Sequence, residues 1–228
     1  MSFPGLTGES IRSLKMNYTE KELNKAFTFI TENFGEISEC FGEMGTAENE
    51  KNDDLHFNIV IVPPTEEQPF YKLVTLGAGA CKMNVPSELK KKGVDRVEYV
   101  IYLPKDWDLD STEDKWYWPV EFLDMTARFA FENNTWLGPG HSISGTGKDP
   151  FESLVLFPCY DKENENELPA LKLGPNNQVR FLQLFPLYKE EAAFYEKNGI
   201  DALIDILDEK NLDCVVDVKR KNVCVDYL

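Results

Sequence analysis

Trp116-Tyr117-Trp118-Pro119-Val120-Glu121-Phe122-Leu123-Asp124-Met125-Thr126-Ala127-Arg128-Phe129-Ala130-Phe131-Glu132 decides the reading of the fold. Pro119 suits the first position of a helix, where its missing N–H costs nothing and its φ is already set. From there Glu121, Asp124, Arg128 and Glu132 recur at spacings of three and four, which puts them on one narrow stripe. The rest of the circumference is apolar, as in a helix packed on several sides by other layers. Asn133-Asn134 stop it, because Asn tolerates left-handed backbone at a helix end. Asp124/Arg128 and Arg128/Glu132 read as ordinary i,i+4 pairs on a wet face, each contributing roughly 0.2–0.5 kcal/mol. A glycine-punctuated loop follows, Thr135-Trp136-Leu137-Gly138-Pro139-Gly140-His141.

Outward from this helix the apolar periods alternate between two kinds. Thr19-Glu20-Lys21-Glu22 is a capping box, and Leu23, Ala26, Phe27, Ile30 and Phe34 make one helical stripe that Gly35 ends. Residues 36–54 read as a loop. Leu55 to Val62, Phe70 to Leu76 and Val97 to Leu103 read as strands, the first closed by Pro63-Pro64 and the third by Pro104. The first alternates and then turns continuously apolar, as in a strand whose later half is covered on both faces. Ser153 to Phe157 and Val179 to Phe185 are further strands around the acidic stretch 161–167. Helices follow at Lys189 to Asn198 and after Gly199, and Cys214 to Val218 with Val223 to Tyr227 reads as a terminal hairpin. Strands in runs, without strict βαβ alternation, predict an α+β fold: a mixed, mostly antiparallel sheet with helices packed on it. Residues 1–15 form a loose N-terminal arm and 16–228 one domain.

Composition narrows the function. At 228 residues, 42% hydrophobic and 12% aromatic, the chain can bury a sizeable core. Its formal net charge of −16 repels phosphate backbones and anionic lipid, so neither nucleic acid nor a membrane surface is an expected partner. Cys40, Cys81, Cys159, Cys214 and Cys224 are scattered and odd in number, a pattern of reduced thiols in a cytoplasmic protein. No basic-then-apolar leader opens the chain, and no stretch reaches the roughly 18 apolar residues of a membrane span.

Reactive chemistry has little to draw on. There are two histidines, His56 and His141, and no local His/Cys pair at metal-ligand spacing. Glycine-serine elbows, phosphate loops and dinucleotide fingerprints are absent; Gly145-Thr146-Gly147-Lys148 has the wrong spacing for a phosphate loop and reads as a turn. No catalytic set, metal site or cofactor is expected. The alternative is an enzyme or small-molecule receptor built on the Trp136–His141 loop, which requires both side chains to share one cavity.

The segment Ile59-Val60-Ile61-Val62-Pro63-Pro64-Thr65-Glu66-Glu67-Gln68-Pro69-Phe70-Tyr71-Lys72-Leu73-Val74-Thr75-Leu76-Gly77 resembles the signature of the suppressor-of-fused-like domain family. Three further segments agree in order. They are Met83-Asn84-Val85-Pro86 before the strand Val97 to Leu103; Trp118-Pro119 with Asn134 to Gly138 and Gly140-His141; and Phe181-Leu182-Gln183 with Pro186-Leu187-Tyr188 and Glu190-Glu191. Jointly they cover about residues 20 to 228. The resemblance implies a single α+β domain that binds proteins and catalyses nothing. In the animal relative a short extended segment of a transcription factor is clamped between this domain and a second one, which is not expected here. Bacterial relatives made of this domain alone resemble immunity proteins that neutralise a toxin. The resemblance therefore implies another protein as partner, a basic toxin domain being the form an acidic surface suits, and a contact region near Gly77–Pro86. The residues expected to meet the partner are Gly77, Cys81, Met83, Asn84, Asn134, Trp136 and His141.

Overall fold

The computed structural model describes residues 17–41, 55–147, 150–160 and 166–227. The expected arm at 1–15 and most of the acidic stretch 161–167 lie outside these residues. In chain order the elements are α1 (Glu20–Phe34), β1 (Glu39–Phe41), β2 (Asn58–Val62), β3 (Phe70–Leu76), β4 (Val97–Pro104), α2 (Asp114–Glu132), β5 (Ser142–Ser144), β6 (Ser153–Pro158), β7 (Leu171–Gly174), β8 (Asn177–Leu187), α3 (Lys189–Asn198) and α4 (Ile200–Glu209). The strands form one mixed sheet in the order β1-β2-β3-β4-β8-β6-β5, with β7 paired to β8 off this path. Only β4 and β8 run parallel, Val97 opposite Arg180; the other pairs are antiparallel. The expected α+β architecture is the one observed.

Both faces of the sheet are covered, and alternate residues serve the two sides. Tyr99, Ile101 and Leu103 of β4 pack with Phe122, Leu123 and Ala127 of α2 in the larger core. Val100 and Tyr102 point the other way, into a second core with Leu23, Ala26 and Ile30 of α1. A third cluster joins Phe185 and Leu187 of β8 to Leu203, Ile206 and Leu207 of α4. Burying one such side chain contributes about 1.5–3 kcal/mol, so strands apolar at every position are stable only between two helical layers.

α1 is capped as its sequence dictates: the Glu22 N–H donates to Thr19 Oγ1 at 3.3 Å and the Thr19 N–H to Glu22 Oε2 at 3.1 Å. α2 departs from expectation at its start. It begins at Asp114, so Pro119 lies inside it and is buried, and the Lys115 carbonyl loses its helical donor. Aromatic packing offsets that loss, with Trp118 edge-on to Phe122 at 4.8 Å and to Trp107 at 5.9 Å.

The polar stripe of α2 is wet only at its C-terminal end, where Glu132 is exposed; Glu121 and Asp124 are half-buried. Arg128 is buried, pairs with Asp124 Oδ1 at 2.9 Å, and lies 5.2 Å from the centre of the Phe57 ring. Burial, and then Glu132 and Glu121, push the Asp124 carboxyl up to about 6.

The expected loop at 36–54 contributes the short edge strand β1 among its described residues. The short strands β5 and β7 were not expected at all. The terminal hairpin does not form. Val215 bridges Tyr102 in parallel, and Val225–Tyr227 is a single 3-10 turn. Two five-residue strands alone are marginal, and a buried ion pair draws the segment elsewhere. Arg220 sends two N–H bonds to the Glu191 carboxylate at 2.5 Å each and a third to the Pro186 carbonyl at 2.9 Å, while the Val223 N–H donates to Glu191 Oε1 at 3.1 Å.

Candidate functional site

The segment that follows β3 is shaped from beneath by one buried carboxylate. Glu98, in β4, is fully buried and faces away from α2. Its Oε1 accepts from Tyr18 Oη at 2.7 Å and from the Gly77 and Gly79 N–H groups at 2.9 and 3.1 Å; its Oε2 accepts from Thr75 Oγ1 at 2.6 Å. Burial pushes the Glu98 carboxyl up to about 7, and the same four donors pull against that rise. The neighbouring Arg96 donates to the carbonyls of Gly79 and Ala80. Glu98 and Arg96 thus hold N–H groups and carbonyls of a single 3-10 turn, Ala78–Ala80.

Glycine is required twice in this cradle. Gly77 has φ +118°, and a Cβ there would stand 2.9 Å from the His56 carbonyl oxygen. A Cβ on Gly79 would stand 2.5 Å from Val179 and 2.8 Å from the Tyr18 hydroxyl. Gly77→Ala is therefore expected to lower the unfolding free energy by about 1–3 kcal/mol in urea titration, the cost of strained backbone plus overlap. An unchanged midpoint would mean that the turn relaxes freely.

Beyond the turn the chain is joined to the loop after α2. The Asn84 N–H donates to the Thr135 carbonyl at 3.0 Å, and Asn84 Nδ2 lies 3.2 Å from both the carbonyl and the Oδ1 of Asn134. Met83 is buried below, its Sδ taking the Leu137 N–H at 3.4 Å and the Tyr99 hydroxyl at 3.8 Å. Asn134 has the left-handed φ of +48° expected of a helix-ending Asn. Trp136 packs on the larger core, its ring edge-on to His141 at 4.4 Å between centroids. The loop closes on β6: the His141 N–H donates to Gly138, and the Leu156 N–H donates to the His141 carbonyl at 2.9 Å.

Of the seven residues named from sequence, the structure brings Asn84, Asn134, Trp136 and His141 into one patch, with Met83 directly beneath. Gly77 and half-buried Cys81 sit at the other end of the segment, where Gly77 is buried and acts on the shape of the turn. Sequence reasoning missed Glu98, Arg96 and Tyr18. The available signal was a lone acid inside a strand otherwise apolar at every position. Among the described residues, no cluster of three His, Cys, Asp or Glu side chains could hold a metal ion, and no helix is long and apolar enough to cross a membrane.

The family model described as Suppressor of fused protein (SUFU) matches residues 53–221. The chain belongs to the suppressor of fused family. A relative in sequence is the uncharacterized protein UU111 of Ureaplasma parvum serovar 3, 23% identical over 216 residues, spanning 92% of this chain and 98% of that one. Among solved structures, a SUFU homolog from Neisseria gonorrhoeae FA 1090 superposes with a TM-score of 0.61 at 17% identity, over 90% of this chain and 98% of that one. The Sufu–Fu complex superposes at 0.56 with 13% identity, over 90% of this chain and 91% of that one. At these identities the superpositions establish a shared SUFU fold. In the second of them the SUFU chain is held in a complex with Fu.

Proposed function

We propose that residues 16–228 act as one non-catalytic protein-binding domain, and that the patch made by Asn84, Asn134, Trp136 and His141 meets the partner. The observation that carries this is the joining of the segment after β3 to the loop after α2 through Asn84: two exposed loops become one fixed surface over a buried anchor. A surface held rigid before contact loses little conformational entropy on binding, which suits tight occlusion of a partner. The family supports the reading, since a SUFU chain is found in complex with another protein.

The finer form is an immunity protein acting in the cytoplasm that neutralises a basic toxin domain. A net charge of −16 steers a basic partner toward the chain, and inhibition by occlusion needs no reactive group. The test is titration calorimetry of the full chain against the purified product of the gene beside its own, with growth of cells that make both proteins. Asn84→Arg and His141→Arg, which each place a cation against a basic partner, are expected to weaken binding at least tenfold and to abolish protection. A toxin that kills equally with and without the chain would refute the immunity role. Undiminished binding in both variants would move the interface elsewhere.

A further inference from the structure

Next to this patch, but on separate residues, lies a cavity of about 750 Å³ whose charge opposes that of the molecule. Lys82, Lys90, Lys91, Lys92 and Lys172 line it with Gly93, Gly174, Asn176, Asn177 and Gln178, and no Asp or Glu is among the lining. A chain with 40 acidic and 24 basic residues thus places five lysines around one hollow.

Its walls are built. The Lys90–Lys92 turn ends at Gly93, whose φ is +61°. The turn is tied to β8 by the Gln178 side-chain amide, which donates to the Lys92 and Gly93 carbonyls at 3.3 and 3.1 Å. Lys172 Nζ donates to the same side chain's oxygen. Asp95 pairs with Lys82 at 3.1 Å, and among the described residues no other carboxylate is ion-paired to any of the five. The cluster therefore carries a cost of like-charge repulsion that an anionic occupant would relieve.

We propose that this cavity docks an acidic, extended polypeptide segment of a partner protein. The ammonium groups sit on flexible stems from three separate stretches of chain, as suits carboxylates spaced along a strand. No arginine fork lines the cavity to grip a single phosphate. A nucleic acid would extend past the cavity over a strongly acidic exterior. A short acidic segment keeps its charges within about one Debye length, ~8 Å at physiological ionic strength, of the lysines, so local attraction outweighs the net repulsion. The inference goes beyond the patch described above and stands without it, since it uses none of its residues.

Fluorescence anisotropy of the full chain with a labelled oligo-glutamate peptide tests the proposal. Two variants of equal net charge decide it: Lys90→Gln/Lys91→Gln/Lys92→Gln/Lys172→Gln in the cavity, and Lys21→Gln/Lys105→Gln/Lys115→Gln/Lys219→Gln elsewhere on the surface. All eight side chains are exposed, so both variants keep the fold. The cavity variant is expected to bind at least tenfold more weakly, and the surface variant within about twofold of the original. Equal weakening in both, no binding by the original chain, or tighter binding of an oligo-uridylate of matched charge would each overturn the proposal. Failure here with partner binding still lost in Asn84→Arg removes the cavity and leaves the patch. The reverse pattern removes the patch and leaves the cavity.

Discussion

Arg220→Met is expected to lower the unfolding free energy by about 3–5 kcal/mol, the cost of leaving a buried charge without its partner. Glu191, at the first turn of α3, is 0% exposed, and the Arg220 side chain is 8% exposed. The guanidinium also lies 4.6 Å from the Tyr188 ring centre and 5.3 Å from that of Phe151, so it is held by aromatic faces as well as by the carboxylate. Removing it strands Glu191 and frees the segment after α4, whose path follows the backbone bonds made around Arg220. Urea titration reads the loss. Lys219→Met, an exposed neighbour, is expected to change stability by less than about 0.5 kcal/mol. Arg220→Met/Glu191→Leu is expected to recover much of the single-variant loss, because the uncompensated charge is gone. A single variant costing less than about 1 kcal/mol would mean that water reaches Glu191 and that the pair does not fix the C-terminal path.

Glu98→Ala has the other large effect, for the opposite chemical reason: it leaves donors without their acceptor. Two hydroxyls and two backbone N–H groups end on this carboxylate. Buried orphan donors cost about 1–3 kcal/mol each before relaxation, so a total on the order of 4 kcal/mol is expected, with the Gly77–Cys81 turn loosened first. Glu98→Gln keeps the shape and one acceptor and costs less. It also isolates the pH dependence.

The Glu98 pKa rises from 4.5 to about 7 on folding. Between those values the folded chain binds a proton that the unfolded chain releases. The resulting stabilisation is full below about 4.5 and is lost as pH rises through about 7. The span corresponds to roughly 3 kcal/mol. Asp124, raised to about 6, adds a contribution of the same sign. Subtracting the Glu98→Gln stability profile from that of the original chain isolates the first contribution. A difference that stays flat from acid to neutral pH would show that Glu98 keeps its ordinary titration.

The elements that sequence made legible are those whose residues repeat at one period over many positions. α1 carried its capping box, its stripe and its terminal glycine; β2, β3, β4 and β8 stood out as strands, and the continuously apolar later half of β2 implied two covered faces. The misreadings share a physical cause. β1, β5 and β7 have three or four residues each, too few for alternation to show. The charges of α2 obey helical spacing whether or not they face water, so Arg128 looked exposed until Phe57 was seen beneath it. The C-terminal residues have strand composition, yet a single long-range ion pair decides their path, and no local pattern encodes that. The patch was half legible. The Trp136–His141 loop and Asn84 stood out, but Glu98 acts through contacts 19 to 80 residues away in sequence.

In the proposed function the chain holds another protein at the Asn84–His141 patch. Site-specific photo-crosslinking in cells that make the full chain tests it most directly, with the crosslinking amino acid placed at Asn84, at His141 and, as a control, at Asn24 on the exposed side of α1. The expected result is one and the same protein captured from Asn84 and His141 and not from Asn24. Capture of nothing from either patch position, together with a small molecule that co-purifies and is turned over only while His141 is intact, would contradict it.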